Sequence, residues 1–145
     1  MEDRIVAGGH IRLRPFDTKA TYPEQSLSND LSQAVIAGDT IYLRGQVAQD
    51  LETRENVGIG DAAAQAAKVM DNVEQLLGEC GATLAQIASC HVYLTDIRHR
   101  EAVYGVLGAR LRGVYPCFTG LVVVALARPE WLVEVTVVAS RAVTA

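Results

Sequence analysis

Short apolar or alternating segments recur along this chain, and each of them predicts a β-strand. Residues 33–37 and 40–43 are two such runs, and the Gly38-Asp39 dipeptide between them is typical of a tight hairpin turn. Further strands are predicted at residues 87–94, 121–126 and 131–139. The chain is therefore rich in strands, with two longer segments between them.

Those two segments carry apolar residues at helical spacing. The first helix is predicted to begin after Asp61, a good N-cap, and to end near Cys80-Gly81. Its inward stripe consists of small and aliphatic residues: Ala62, Ala66, Val69, Met70, Val73, Leu76 and Leu77. The second helix is predicted over residues 98–111. The crossover through the first helix is long enough for the strands on either side of it to pair in parallel.

The resulting order, ββαβαββ, predicts an α+β fold: a mixed sheet of about six strands with both helices on one face. Residues 1–30 form a polar N-terminal extension in which residues 10–14 could be a short edge strand, and residues 31–145 form the one main domain. The later strands are apolar on both sides, so the second sheet face needs a cover. A partner subunit is the economical cover, which predicts a homo-oligomer.

Composition and charge narrow the classes of function. The 145 residues are 50% hydrophobic and 21% charged, which is typical of one globular domain. A formal net charge of −4 opposes a nucleic-acid partner, and no apolar run approaches the roughly 20 residues that cross a bilayer. Three widely spaced cysteines and a charged N-terminus without an apolar leader indicate a reducing, cytoplasmic setting.

Glu134 is the residue that fits its surroundings least. In residues 131–139 one strand face is wholly apolar, whereas the other combines Glu134 with Leu132, Thr136 and Val138. Burying a lone carboxylate would cost several kcal/mol unless it has partners. Position alone therefore favours a solvated strand face over a lined cavity. The motifs elsewhere in the chain reverse that preference.

The order of elements and several short motifs resemble the reactive intermediate deaminase family, called RidA or YjgF. The motifs occur in register over residues 31–140 and are Ser32-Gln33-Ala34-Val35, Gly38, Gly45-Gln46, Gly81-Ala82, Val92-Tyr93-Leu94-Thr95-Asp96 and Val133-Glu134-Val135. The resemblance implies a chorismate-mutase-like fold and a homotrimer whose sheets form a central barrel, with active sites in clefts between subunits. It also implies hydrolysis of enamines and imines to ketones and ammonia, without a metal or organic cofactor.

The resemblance assigns roles to three residues. The family's water-positioning glutamate falls on Glu134, where a carboxylate can orient water and shuttle protons. The glycine that presents its main chain to the ligand falls on Gly45, although a β-bulge or strand twist explains a glycine there equally well. Gly120 stands where many members have a cysteine whose amide contacts the ligand, and that contact needs only the N–H.

Three other positions depart from the family pattern. Phe118 replaces the arginine that grips the substrate carboxylate, so ordinary 2-iminoacid deaminase activity is in question. Leu31 replaces the site tyrosine, and Arg44 replaces the serine before the site glycine. Leu31 and Phe118 suit an aromatic or aliphatic part of a substrate, but Phe118 could also simply fill the space of the missing arginine.

Arg44 has two interpretations. Pointing into the cleft, it would bind an anionic substrate, or pair with Glu134 and lower the pKa of that carboxyl. Pointing outward, it would be solvated or form a salt bridge at the subunit interface. The sequence does not decide between them.

Together these residues predict a hydrolase or deaminase of a small enamine, imine or related reactive intermediate, with Glu134 activating water. The residues expected to bind the substrate are Arg44, Gly45, Phe118, Gly120 and Leu31. Two alternatives remain open: a non-catalytic ligand-binding or regulatory trimer, and a pathway-specific enzyme acting on an aromatic or amino-muconate-like intermediate. No metal site is predicted, because the three histidines show no metal-ligand spacing.

Overall fold

The structure is a computed structural model that describes residues 3–141, and it places two long helices on one face of a seven-stranded mixed sheet. The strands are β1 (Arg4–Ala7), β2 (His10–Asp17), β3 (Asp30–Ala37), β4 (Thr40–Leu43), β5 (Ile87–Leu94), β6 (Cys117–Val122) and β7 (Val133–Ser140). The helices are α1 (Thr18–Thr21), α2 (Ala62–Glu79) and α3 (Arg100–Arg110). The strand order across the sheet is β1-β2-β3-β4-β7-β5-β6.

Helix α2 forms where its apolar stripe predicted it. The Asp61 side chain caps it by accepting a hydrogen bond of 3.0 Å from the Ala64 N–H. Gly81, with a φ of +81°, ends it in the left-handed region that glycine adopts without strain. Every residue of the predicted stripe is buried, so the stripe forms the centre of the hydrophobic core.

Helix α3 begins two residues later than predicted. The Asp96 carboxylate accepts a hydrogen bond of 2.8 Å from the Arg98 N–H and caps a 3-10 turn at Ile97–His99. The α-helix follows this turn, and Val103 and Leu107 on its inner face are fully buried. The tighter turn takes up the first residues of the predicted segment, which is why the α-helix starts later.

The sheet combines antiparallel and parallel pairs. The β3–β4 hairpin turns at Gly38, whose φ is +62°, as the sequence predicted. Strand β7 lies between β4 and β5 and is antiparallel to both. The two strands that α2 connects, β4 and β5, therefore do not pair with each other. The parallel pair is instead β5 with β6, which α3 connects.

The N-terminal segment contributes more than the predicted edge strand. Strand β2 pairs with β3 on one side and with β1 on the other, so residues 10–14 lie inside the sheet and β1 is the edge. Gly8 and Gly9 adopt φ values of +62° and +79°, which lets the chain turn back and form the extra strand. The sheet therefore has seven strands rather than about six.

The strand predicted at residues 121–126 lies at Cys117–Val122 instead. Strand β6 can continue only as long as it has a partner, and β5 ends at Leu94, which pairs with Val122. Beyond that point the apolar residues leave the ladder. Hydrophobicity located the strand, and the length of its neighbour set its ends.

The two faces of the sheet differ in cover. On the helix face, Val133, Val135 and Val137 of β7 are 0% exposed beneath α2 and α3. On the other face, called the open face below, Glu134 and Thr136 are only partly buried. Helices α2 and α3 both lie on the helix face, so neither covers the open face, as the sequence pattern predicted.

Candidate active site

A β-bulge brings the main chain of Gly45 against Glu134. Tyr42 pairs with Val138 and Gln46 pairs with Val135, so three residues (43–45) oppose only two on β7 (136 and 137). A Cβ at position 45 would collide with the Glu134 carboxylate, lying 3.0 Å from its Cδ. The bulge considered for this glycine is present, and the group that lies against it is the Glu134 side chain.

Gln46 fixes the main chain on the far side of this bulge. Its N–H donates to the Val135 carbonyl at 2.8 Å, and its carbonyl accepts from the Val135 N–H at 3.0 Å. Its buried side chain donates to the Arg44 carbonyl and to the Gln33 Oε1, both at 3.0 Å. These bonds hold the bulge, and with it Gly45, in one conformation.

The Glu134 carboxylate is poorly solvated and lacks a direct partner. Within residues 3–141 it makes no hydrogen bond within normal distance limits and no ion pair. Burial raises the pKa of Glu134 above its ordinary value of 4.5, because a low-dielectric setting disfavours the charged form. The nearby positive charge of Arg44 acts in the opposite direction and lowers that pKa. Such a carboxylate retains its lone pairs for a water molecule or a substrate.

Arg44 lies along a cleft beside Gly45. Its guanidinium carbon is 5.2 Å from the centroid of the Phe16 ring, a cation–π contact that orients the side chain. The cleft has a volume of about 200 Å³, and Phe16, Arg44, Gly45 and Gln46 are among its lining residues. Within residues 3–141 Arg44 forms no ion pair, so its charge is available to a ligand.

Leu31 borders this region without lining the cleft. It pairs with Phe16 across β2 and β3, and 39% of it is exposed. It therefore lies next to the ring on which Arg44 stacks.

Phe118 and Gly120 lie on the other side of the sheet. They pair with Cys90 and Val92 of β5, both buried on the helix face, whereas Glu134 pairs with Tyr93 on the open face. Side chains of directly paired residues share a face. One protomer therefore brings Arg44, Gly45 and Glu134 together but keeps Phe118 and Gly120 apart from them.

Comparison with known proteins shows which family this chain is similar to. A sequence model of the family described as endoribonuclease L-PSP matches residues 23–141. Protein DfrA of Myxococcus xanthus is 33% identical over 120 residues, which cover 80% of this chain and 91% of that protein. A YjgF-family crystal structure from Neisseria meningitidis superposes with a TM-score of 0.68 at 32% identity, covering 78% of this chain and 88% of that one.

This chain belongs to the RidA/YjgF family. The fold implied by its motifs is thereby confirmed. Another similar protein is the 3-aminoacrylate deaminase RutC of Acinetobacter baylyi, 29% identical over 106 residues, which cover 73% of this chain and 82% of that protein.

In this RidA/YjgF protein, Tyr104 accounts for Phe118 and Gly120, the two residues of β6 that differ from the family pattern. The sequence pattern did not identify Tyr104. Its ring packs edge-on against Phe118, with centroids 5.1 Å apart. A Cβ at position 120 would collide with the Tyr104 hydroxyl and lie 2.7 Å from its Cζ. Arg100, one helical turn earlier, stacks over the Tyr104 ring at 4.6 Å. The Arg100–Tyr104 spacing was the only sequence signal, and it could not identify the opposing strand.

Two buried amides of α2 support the segments on either side of the site. Asn72 donates to the carbonyls of Val47 and Gln49, at 3.2 and 2.8 Å. Gln65 donates to the Glu130 carbonyl at 3.0 Å and accepts from the Leu132 N–H at 2.9 Å. These polar residues in an otherwise apolar helix stripe were the available signal. They connect α2 to the segments that follow Gly45 and precede Glu134.

Residues 3–141 give little evidence for a basic binding surface on α3, a metal site or a membrane span. The arginines near α3 are largely engaged: Arg98 pairs with Asp96, and Arg110 pairs with Asp71 and Glu74. No three His, Cys, Asp or Glu side chains of the described part come together as a metal site would need. None of the described helices is long and apolar enough to span a membrane.

Proposed function

We propose that this RidA/YjgF protein hydrolyses a small enamine, imine or related reactive intermediate, with Glu134 activating the attacking water. The observation that supports this most is the Glu134 carboxylate itself: half-buried, raised in pKa, free of a direct partner in residues 3–141 and held against the Gly45 main chain. A base with these properties works closer to neutral pH than an exposed carboxylate. The similarity to a protein named 3-aminoacrylate deaminase points to the same chemistry.

The reaction needs one water and no redox partner. The imine enters protonated from solution, and Glu134 removes a proton from water as the water oxygen attacks the imine carbon, which gives a neutral carbinolamine. The protonated Glu134 then passes that proton to the carbinolamine nitrogen. The C–N bond breaks and ammonia leaves, while the hydroxyl returns its proton to Glu134 and its oxygen becomes the carbonyl of a ketone. An enamine enters the same sequence after protonation at carbon converts it to the imine.

Arg44 is proposed to bind an anionic group of the substrate. Arg44 lines the same cleft as Gly45, its guanidinium is oriented by Phe16, and it forms no ion pair within residues 3–141. A guanidinium can hold a carboxylate through two parallel hydrogen bonds. Arg44 would thus bind the substrate carboxylate from the opposite wall of the site, in place of the arginine that Phe118 has replaced.

A complete site needs a second copy of the chain. Phe118 and Gly120 face away from Glu134 within one protomer, and all six residues of the edge strand β6 are exposed. Docking β6 of one copy beside the Glu134 region of the next would bring both groups to one ligand, with the Gly120 amide as a donor and Leu31 at the margin. We therefore propose a cytoplasmic homotrimer with its sites between subunits.

The test is ammonia release from freshly generated imines, compared between the wild type, Glu134→Gln and the control Glu101→Gln. Glu101 is exposed on α3 and has no part in the site. We expect Glu134→Gln to lower kcat by about 10²–10⁴-fold and Glu101→Gln to leave it unchanged. Full activity of Glu134→Gln would contradict the proposed function of this carboxylate.

The pH dependence tests Arg44. Because Arg44 lowers the pKa of Glu134, Arg44→Met should raise that pKa and move the acidic limb of the kcat/KM profile to higher pH, by up to about one unit. Arg98→Met, which removes only a surface pair with Asp96, is the control and should leave the limb in place. An unshifted limb in Arg44→Met would remove this residue from the site.

The presence of Phe118 favours two other functions. A non-catalytic ligand-binding trimer would turn over no imine while a bound metabolite still raised its Tm. A pathway-specific enzyme on an aromatic or amino-muconate-like intermediate would need Glu134 but would act on few members of the imine panel.

A further inference from the structure

A second cleft opens on the helix side of β6, between the end of α3 and the start of the strand. Its volume is about 350 Å³, and its lining includes Tyr104, Gly108, Leu111, Arg112, Tyr115 and Phe118. We propose that this cleft, called the aromatic cleft below, receives the side chain of the substrate and selects imines that carry a bulky apolar, above all aromatic, side chain. The inference rests on the proposed hydrolase function and adds a substrate class to it.

The aromatic cleft and the proposed site share the Phe118 side chain. Phe118 occupies the position at which the family pattern has its substrate-binding arginine, and the same side chain forms a wall of the cleft. A ligand that contacts Phe118 therefore has an apolar cavity next to it. The substitution at position 118 changes a carboxylate-binding surface into the entrance of an apolar one.

The wall of the aromatic cleft is already ordered. Tyr104 is held by Arg100 over its ring at 4.6 Å, by the Phe118 edge contact and by the Gly120 main chain beneath its hydroxyl. A side chain fixed from three directions loses little conformational freedom when a ligand arrives. These contacts within the chain therefore fix one wall of the cleft.

Size and charge indicate the class of occupant. A volume of about 350 Å³ falls at the lower end of small-molecule sites, which run from about 300 to 1,000 Å³, and it accommodates one ring. Aromatic walls favour offset or edge-on contacts with another ring. Arg112 is exposed and forms no ion pair within residues 3–141, so it complements a neutral or acidic occupant and repels a basic one.

Helix α3 supplies a matched pair of variants. Gly108 lines the cleft, and Gly105, one turn earlier on the same helix, does not. A Cβ at either position meets no atom within 4 Å, so an added side chain can start there without a clash. Leucine also has a higher helix propensity than glycine, so neither variant should lose the fold. Gly108→Leu fills the aromatic cleft, and Gly105→Leu is the control.

The experiment compares imines generated in place by an amino-acid oxidase from phenylalanine and from alanine. We expect the wild type to prefer the phenylalanine-derived imine. Gly108→Leu should lower kcat/KM for that imine by about tenfold or more, mainly through KM, and change the alanine-derived imine by less than about twofold. Gly105→Leu should change neither. Equal losses on both imines, or no loss on either, would overturn the proposal.

A binding measurement separates this inference from the proposed function. If the wild type hydrolyses no imine, the hydrolase proposal fails, but calorimetric titration with phenylpyruvate and pyruvate still tests the cleft. We expect phenylpyruvate to bind the wild type at least about tenfold more tightly than pyruvate, and Gly108→Leu to abolish that preference. A wild type without the preference would refute the substrate class. A change of oligomeric mass in Gly108→Leu would show instead that another copy of the chain fills the cleft.

Discussion

The two walls of the proposed site are stabilised in different ways. The wall that contains Glu134 and Gly45 is set by the main chain: a bulge, a glycine in contact with a carboxylate and a buried Gln46 that bonds the strands around it. The wall that contains Phe118 and Gly120 is set by side chains, through Tyr104 of α3. Side chains are replaced more easily than a bulge is moved.

This difference explains which half of the family pattern is retained. Glu134 and Gly45 constrain each other, so a change at either position disturbs both. Phe118 and Gly120 both lie against Tyr104, and these residues can be exchanged together without moving a strand. The wall proposed to be catalytic thus keeps the residues of the family pattern, whereas the wall proposed to bind the substrate does not.

Among the changes that test this difference between the walls, Gly45→Ala is expected to have the largest effect. The new methyl group would displace the Glu134 carboxylate, because a Cβ there lies 3.0 Å from its Cδ. We expect kcat to fall by about a hundredfold and the free energy of unfolding to drop by about 1–3 kcal/mol. Steady-state kinetics and urea unfolding measure both, with Gly105→Ala as the control. Wild-type kinetics in Gly45→Ala would show that the catalytic wall is less constrained than its geometry indicates.

A smaller effect is expected on the other wall from Gly120→Ala. The methyl group should push the Tyr104 ring aside, and since a ring tip can yield, the cost should be about 1–2 kcal/mol of stability. Selectivity for the phenylalanine-derived imine should fall about tenfold. In a double-mutant cycle, Tyr104→Ala should remove most of the penalty of Gly120→Ala. Additive effects would mean that the two residues are not coupled.

The smallest effect concerns stability and pH. Burial raises the pKa of Glu134 in the folded state above 4.5, so ionisation of this group destabilises the fold. That destabilisation is absent below about pH 4.5, grows as the pH rises to the folded pKa and is complete above it. Glu134→Gln should therefore raise Tm by a few degrees at about pH 8 and match the wild type at about pH 4. A lower Tm at the higher pH would show that the charged carboxylate has a stabilising partner.

Local patterns predicted the parts of the fold that depend on local interactions. The α2 stripe with its Asp61 cap, the Gly38 hairpin and the strand at 87–94 all lie where periodicity placed them. The ends of β6 were misplaced because they depend on where β5 ends. The inner position of β2 was missed because the Gly8-Gly9 turn creates a partner for it.

In the site, too, the sequence predicted features that depend on local interactions and missed those that depend on distant elements. Alternation along β7 correctly set Glu134 apart from the buried valines, and the bulge at Gly45 was among the explanations considered. The contact between Tyr104 and Gly120 joins a helix to a strand, and no spacing in the sequence encodes it. Likewise, the sequence alone could not show that Glu134 and Phe118 lie on opposite faces of the sheet, because this depends on the order of the strands.

The space above Gly120 also restricts the order in which substitutions accumulate. A residue with a Cβ at position 120 and a tyrosine at position 104 in its present conformation cannot coexist, since the two would occupy the same volume. A side chain enters position 120 without cost only after Tyr104 has been replaced or its ring has turned aside, so a change at position 104 comes first. The reverse order carries the cost of about 1–2 kcal/mol expected for Gly120→Ala.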